Sequence, residues 1–597
     1  MNQLEKLKSA ISLHDVALLL GFQPKHLAYI LYKKTPAEKY KQFEIPKRAG
    51  GVRTINAPIP ELKTLQRRLS SLLQNCIEEI NRTRKISHSF SHGFRRKHSI
   101  MTNARVHRKK RYVLNVDLEN FFGTINFGRV RGFFISNRNF ALNEKVATIL
   151  AQIACHENVL PQGSPCSPVI SNLIGHILDI PLAAFAAKLK CSYSRYADDL
   201  TLSTNRHEFP KELAFPYAEN GHKWKVGEQL EEIITRAHFS VNASKTRLQY
   251  KDSRQEVTGL VVNAKVNTRS EYRRMARAMT HRLLKTGKFQ TKQIDQDVDG
   301  KPVEKEVDGR LEQLNGMFSF NESVHLYNLR KRPKHKNYKV DKDLRPSEKP
   351  DAMENMYCNF LVYKYFYACP KPLIVCEGKT DNIYIKAAIN KLADKYPQLA
   401  TKSKENTFQI SVTLFKYSKT TARILGLGGG TGDIKNFLNI LRDKYKGISA
   451  PSMDKPVIFI IDNDEGAKEI YSTLNTITKS KVANRDSEFV HVFENIYIVP
   501  TPLKPDGKDT MIEDFFEESV TNTKLGEKVF NPSNKRINYK TEYSKNHFAE
   551  YVIKKNEDKI NFSGFKELLT RIDQVIINYS ALKMLQRLKT SVNVAKS

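Results

Sequence analysis

The stretch that decides the fold is Tyr193-Ser194-Arg195-Tyr196-Ala197-Asp198-Asp199-Leu200-Thr201-Leu202-Ser203. Apolar and β-branched residues flank two adjacent acids, a pattern of strand, tight turn and strand. At such a tip the carboxylates are presented together. Side by side they repel unless a positive charge sits with them. Mg²⁺ suits that role, being a hard cation that takes carboxylates together with substrate phosphates. The plainer reading is a polar hairpin turn, where Asp is common. A third acid shifts the balance. In Asn115-Val116-Asp117-Leu118-Glu119-Asn120-Phe121-Phe122, Asp117 ends a strand-like run begun by Tyr112-Val113-Leu114. Asp117 with Asp198 and Asp199 makes a ligand set for two metals about 3.5–4 Å apart that clamp a nucleoside triphosphate.

Between these acids lies Leu160-Pro161-Gln162-Gly163-Ser164-Pro165-Cys166-Ser167-Pro168. It resembles the motif B loop of reverse transcriptases, as Asp117 resembles motif A and Tyr196-Ala197-Asp198-Asp199 motif C. Two shorter matches narrow the family. Asn103-Ala104-Arg105-Val106-His107 resembles the region X signature of retron reverse transcriptases, and Val257-Thr258-Gly259-Leu260 resembles their region Y. The bland reading of Asn103 and His107 is a buried, satisfied pair on one helix.

The resemblance implies roles for particular residues. Asp117 and Asp198 would bridge both ions, with Asp199 a less strict ligand and the Leu118 carbonyl a further oxygen. Phe122, five residues after Asp117, would lie under the sugar and favour deoxynucleotides. Gln162 and Gly163 would lie against the templating pair. Lys245 matches the motif D lysine, which could protonate departing pyrophosphate, although a surface lysine explains it as well.

Length and composition agree with this class. At 597 residues the chain needs several folding units. Its formal net charge of +35 suits a polyanion partner. Seven scattered cysteines show no metal-ligand spacing and no disulfide framework, which points to a reducing cytoplasm. The first residues do not resemble a signal peptide, and no apolar run is expected to reach membrane-spanning length, so no membrane partner is expected.

Residues 1–35 read as an N-terminal helical element, with Ser12 and Asp15 forming a capping box. Phe43 to Ile55 reads as a hairpin around Gly50-Gly51, carrying Lys47, Arg48 and Arg53. The family likeness makes Arg53, and less strictly Lys47, the grip on the incoming triphosphate. Leu62, Leu65, Leu69, Leu72 and Leu73 mark a core helix. Fingers and palm would fill 36–265 and a basic helical thumb 266–330, with Arg273, Arg274 and Arg277 along the duplex. The acidic run Asp295–Gly300 reads as a surface loop, and 331–368 as a linker and aromatic helix. In retrons the thumb region also recognises structured RNA, so Asn103, His107 and the three arginines are expected to serve RNA recognition.

A second unit follows. Pro372-Leu373-Ile374-Val375-Cys376 leads into Glu377-Gly378-Lys379-Thr380-Asp381, and Val457-Ile458-Phe459-Ile460-Ile461 leads into Asp462-Asn463-Asp464-Glu465-Gly466. Acids at the carboxyl ends of buried strands are where sites form in open α/β sheets. The pair E-G…D-x-D-x-G resembles the Toprim signature. That likeness makes Glu377 a general acid/base, Asp462 and Asp464 Mg²⁺ ligands, and Asp381 a ligand of a second ion; Glu513-Asp514 loosely resembles the terminal acidic motif. The Toprim would span 369–525 and a charged helical extension 526–597, which would cap it or mediate self-association.

The expected fold is thus α/β and α+β multidomain: a right-hand polymerase of fingers, palm and thumb, then a Toprim α/β domain. The chain resembles retron enzymes with a fused Toprim. That likeness implies an enzyme that uses dNTPs and Mg²⁺ to copy its own non-coding RNA (msr-msd) into 2′,5′-branched msDNA. The product would restrain a Toprim nuclease of unknown nucleic-acid target that acts in antiphage defence. The rival reading is a Toprim that binds nucleic acid without cutting it.

Overall fold

A computed structural model describes residues 2–47, 51–86, 89–217, 223–296, 302–331, 346, 349–402, 408–451, 453–479, 484–533 and 537–594. Arg48, the tip of the acidic run at 297–300 and nearly all of the proposed linker at 332–348 lie outside them. The chain forms two compact units. The first is 1–273, 292–305 and 323–332; the second is 274–291, 306–322 and 333–597.

The first unit is built on a four-stranded antiparallel sheet ordered Ser192–Tyr196, Asp199–Thr204, Tyr112–Leu118, Val241–Tyr250. Its strands alternate sides, and the inner side packs on Ser167–Lys188 and neighbouring helices through Val116, Leu200, Leu202 and Ile174. Ser167–Lys188 corrects one expectation: its 22 residues are long and apolar enough to cross a membrane. Most of it is buried within the fold, and its apolar character is that of a core helix. Upstream, Ser12 and Asp15 cap the helix Leu13–Leu19 reciprocally. Tyr40–Pro46 and Val52–Pro58 pair as the expected hairpin.

In the second unit, Thr413–Leu414, Leu373–Cys376, Val457–Ile461 and Ile496–Pro500 run parallel in that order, and Val490–Phe493 closes the edge antiparallel. The central strands are apolar throughout because both faces are covered. Val375, Phe459 and Ile498 face one core with Phe437; Ile374, Ile458 and Tyr497 face another with Tyr384 and Ile572. The last helix, Lys566–Val594, buries Leu568, Ile572, Val575 and Ile576 in that second core, while Leu582 and Leu585 stay exposed. Leu283, Leu284, Leu314 and Phe318, from the expected thumb, share the first of these cores with Tyr357 and Phe360. The acidic run is less of a loop than expected: Gln290–Gln296 and Pro302–Asp308 form a two-stranded ladder tied by Lys292–Glu304 and Lys305–Asp295. Cross-strand charge pairing supplies what the missing apolar face does not.

Candidate active sites

In the first unit the register places Asp117 directly opposite Asp199. Directly opposed residues have Cβ atoms about 4.5–5.5 Å apart. Asp198 occupies the two-residue turn between Tyr196 and Asp199, and its carbonyl accepts from the Leu118 N–H at 3.0 Å. The three acids therefore meet at one end of the sheet. Ala197 in the turn has φ +57°, a left-handed conformation that costs an L-residue roughly 1–2 kcal/mol. Its carbonyl is held by Arg195 Nη1 at 3.0 Å.

Arg195 is wholly buried, and Nε and Nη2 reach the two oxygens of equally buried Asp179 at 2.7 Å each. Tyr193 adds a hydroxyl bond to Asp179 at 2.8 Å. Removing one member of such a pair costs about 3–5 kcal/mol because the other charge stays buried. No sequence motif marks this support. Its signal was one acid inside the apolar helix Ser167–Lys188 and an arginine inside a buried strand.

Burial, then the neighbouring charge of Asp117, raises the Asp198 carboxyl above the ordinary range. Burial, then the charges of Asp198 and Asp117, pushes Asp199 up to about 6, even though its strand end opens toward solvent. Lys245 Nζ bonds Asp117 Oδ1 at 2.9 Å, and this bond raises the ammonium pKa. Arg53, exposed on the hairpin, acts in the opposite sense to burial and lowers Asp198. Lys47 is exposed too, and its N–H pairs with the Gly51 carbonyl. The Gln162 carbonyl accepts from Asn56 N–H at 2.8 Å, which ties the motif B loop to the hairpin. Phe122 is half-buried beside Phe94 and Phe121, with centroids 6.3 and 5.4 Å away.

Asn103 and His107 correct the RNA-recognition expectation. Both are wholly buried. His107 bridges Ser203 and Ser194 at 2.7 Å each, and the Ser194 hydroxyl donates to Asn103 at 2.6 Å. They brace the back of the two turn strands, out of reach of RNA. Arg273, Arg274 and Arg277 stand on Ser270–Thr286. Arg273 bonds the Thr268 carbonyl, while Arg274 and Arg277 are exposed.

In the second unit, Glu377 and Asp462 end neighbouring parallel strands, and the Asp462 N–H donates to Glu377 Oε2 at 3.2 Å. Burial raises both carboxyls, Asp462 strongly. Thr431 Oγ1 donates to Glu377 Oε1 at 2.7 Å. Asp464 Oδ1 accepts from Gly466 N–H, and Asp462 Oδ1 from Ile512 N–H. Asp381 is buried and spends both oxygens on its own turn, accepting from Gly378 N–H at 2.6 Å and Thr380 Oγ1 at 3.2 Å. Each oxygen thus accepts one bond and keeps a further lone pair. Sequence reasoning also missed Lys545, whose ammonium pairs with buried Glu513 at 2.9 Å and whose charge lowers Asp462 and Asp381.

As the side chains stand, no cluster of three or more His, Cys, Asp or Glu among the described residues is close enough to hold an ion. The donor chemistry nevertheless fits Mg²⁺ at the first site: all-oxygen ligands at one strand end, with two carboxyls raised by crowding and burial.

The family model for reverse transcriptase (RNA-dependent DNA polymerase) matches residues 45–264. The chain is 35% identical over 283 residues to the retron Mx162 reverse transcriptase of Myxococcus xanthus, covering 44% of this chain and 55% of that one. It is 32% identical over 275 residues to the retron Ec86 reverse transcriptase of Escherichia coli, covering 46% of this chain and 78% of that one. The chain belongs to the retron reverse transcriptases. It spans just over half the length of the Mx162 relative, and neither match reaches half of this chain. Among solved structures, Candida albicans telomerase overlaps with a TM-score of 0.27 and 12% identity, over 55% of this chain and 60% of that one, too slight to bear on fold or function.

Proposed function

We propose that the chain is an RNA-directed DNA polymerase that copies a cognate non-coding RNA into a 2′,5′-branched RNA–DNA product in the cytoplasm. Its second unit is a Toprim nuclease restrained by that product and acting in antiphage defence. The observation that carries the polymerase reading is the register of Asp117 opposite Asp199, with Asp198 in the adjoining turn.

Asp117 and Asp198 would hold the cations, assisted by Asp199 and the Leu118 carbonyl. Mg²⁺, when bound there, activates the primer hydroxyl and neutralises the leaving oxygens. Arg53 and Lys47 grip the triphosphate from the hairpin. Phe122 lies under the sugar, and Gln162 with Gly163 supports the templating pair. Lys245, kept charged by its bond to Asp117, would give a proton to departing pyrophosphate. Purified Asp198→Asn should bind its RNA nearly as wild type does and make no cDNA. Abundant cDNA from that variant overturns the mechanism.

For the second unit, Glu377 is the acid/base, with Asp462 and Asp464 as the ion's ligands. The rival reading, binding without cleavage, draws on the same contacts, since both Glu377 oxygens are already satisfied. Glu377→Gln separates the two. Loss of phage protection supports cleavage, and protection equal to wild type removes it.

A further inference from the structure

One segment, Phe415 to Thr431, sets the position of Glu377 from both sides. Asn382 Nδ2 donates to the Phe415 carbonyl at 2.7 Å. The Tyr417 hydroxyl donates to the carbonyl of Cys376, the residue just before Glu377. Beyond the helix Lys419–Leu425, Gly429 and Gly430 take φ +108° and +101°, values open to glycine and strained for other residues. Gly430 N–H then donates to the Glu377 carbonyl at 3.0 Å, and Thr431 Oγ1 to the Glu377 carboxylate. Backbone and side chain of the acid both answer to this segment.

The middle of the segment is fastened by a charge. Arg423, its side chain 4% exposed, donates through Nε to Glu322 and through Nη2 to Glu354. The two glutamate side chains are themselves only 11% and 9% exposed. Glu354 belongs to the helix Ala352–Val362. Glu322 belongs to Leu311–Arg330, a helix of the expected thumb. Glu322 and Arg423 lie in the second unit, and residues 323–330 of the same helix count with the first. Three charges removed from water tolerate little loss of geometry. A shift of Glu322 would therefore either carry Arg423 with it or break the pair, and these are the two states that coupling through this contact requires.

We propose that Arg423 is a positioning residue that couples the expected thumb helix to Glu377, so that duplex bound along the thumb sets how Glu377 is presented. This deepens the nuclease reading above and rests on it. A ligand can shift such an equilibrium only through different affinity for the two states, so the effect must disappear when the contact is cut.

The test uses the full chain with and without a synthetic RNA–DNA hybrid duplex. Amide hydrogen exchange is followed at Gly430, and Mg²⁺-dependent cleavage is followed on labelled mixed-sequence RNA and DNA oligonucleotides. In wild type, duplex should change Gly430 exchange and the cleavage rate by roughly an order of magnitude or more. Glu322→Gln should cut both responses to about twofold or less while still binding duplex. Glu354→Gln, which removes the other arm without touching the thumb helix, should keep them. An unchanged response in Glu322→Gln, or equal loss in both variants, overturns the coupling and leaves Arg423 a purely structural residue. Should Glu322→Gln fail to unfold cooperatively, Arg423→Lys carries the comparison, because it keeps the charge and loses the two-armed reach. An exchange response that depends on Glu322 without any cleavage removes the nuclease reading and leaves the coupling. Cleavage with a Glu322-independent response does the reverse.

Discussion

Asp198 and Asp199 crowd carboxylate charge against Asp117, and that crowding should make metal affinity depend on pH. Both carboxyls are raised above their ordinary value, Asp199 to about 6. A raised carboxyl favours the protonated form in the folded chain. Its contribution to stability is therefore full at acid pH and is lost as pH climbs from the ordinary carboxylate range through about 6. A cation must displace that proton. Apparent Mg²⁺ affinity in primer extension should rise about tenfold per pH unit per displaced proton below pH 6, and level off about one unit above it. Metal titrations of the Asp199→Asn variant should show a shallower rise. Equal slopes in variant and wild type would remove Asp199 from the linkage. At this scale the sequence was legible where spacing sets which acids end neighbouring strands, as for Asp117 opposite Asp199 and Glu377 beside Asp462. It was not legible where the answer is which way a side chain faces. Asn103 and His107 form a recognisable motif, yet they point into the fold, and the pair Arg195–Asp179 joins a strand to a helix that no local pattern connects.

Elements behaved as their patterns dictate when one face had to be buried. The strands at 112–118 and 192–204, the hairpin at 40–58 and the helix Pro60–Thr83 could all be read from period and turn residues. The ladder on either side of the acidic run could not, because Lys292–Glu304 and Lys305–Asp295 replace an apolar stripe with charge pairs. The loop at 160–168 meets the hairpin through its backbone. Gly163 has φ +121°, and a Cβ there would stand 2.6 Å from the Asn56 carbonyl oxygen. Gly163→Ala must strain the loop by about 1–3 kcal/mol or push the hairpin away. The expected result is a fall in kcat/KM for dNTPs of roughly tenfold or more, with RNA binding and the far-ultraviolet spectrum retained. Wild-type incorporation by Gly163→Ala would show that the loop does not touch the templating pair.

At the scale of the whole molecule, the boundary between the two compact units does not fall where composition changes. The polar, basic stretch after residue 330 reads as a linker, and it invites division there into two proteins. The cores argue otherwise. Leu283, Leu284, Leu314 and Phe318 precede that point, yet they are buried with Tyr357, Phe360 and Phe366 after it. Phe318 stacks on Tyr357 with centroids 4.9 Å apart and planes 6° from parallel. Exposing four such side chains forfeits about 1.5–3 kcal/mol each, a sum comparable to the entire stability of an ordinary domain. A fragment ending at residue 330 should therefore be proteolysed rapidly within 274–322 and lose primer extension, although Asp117, Asp198 and Asp199 are all present. Supplying 351–597 as a separate chain should restore protection of 274–322, because it returns the missing half of that core. Protection of 274–322 in the short fragment alone would mean that these helices fold without the second unit, and that the shared core is dispensable for copying.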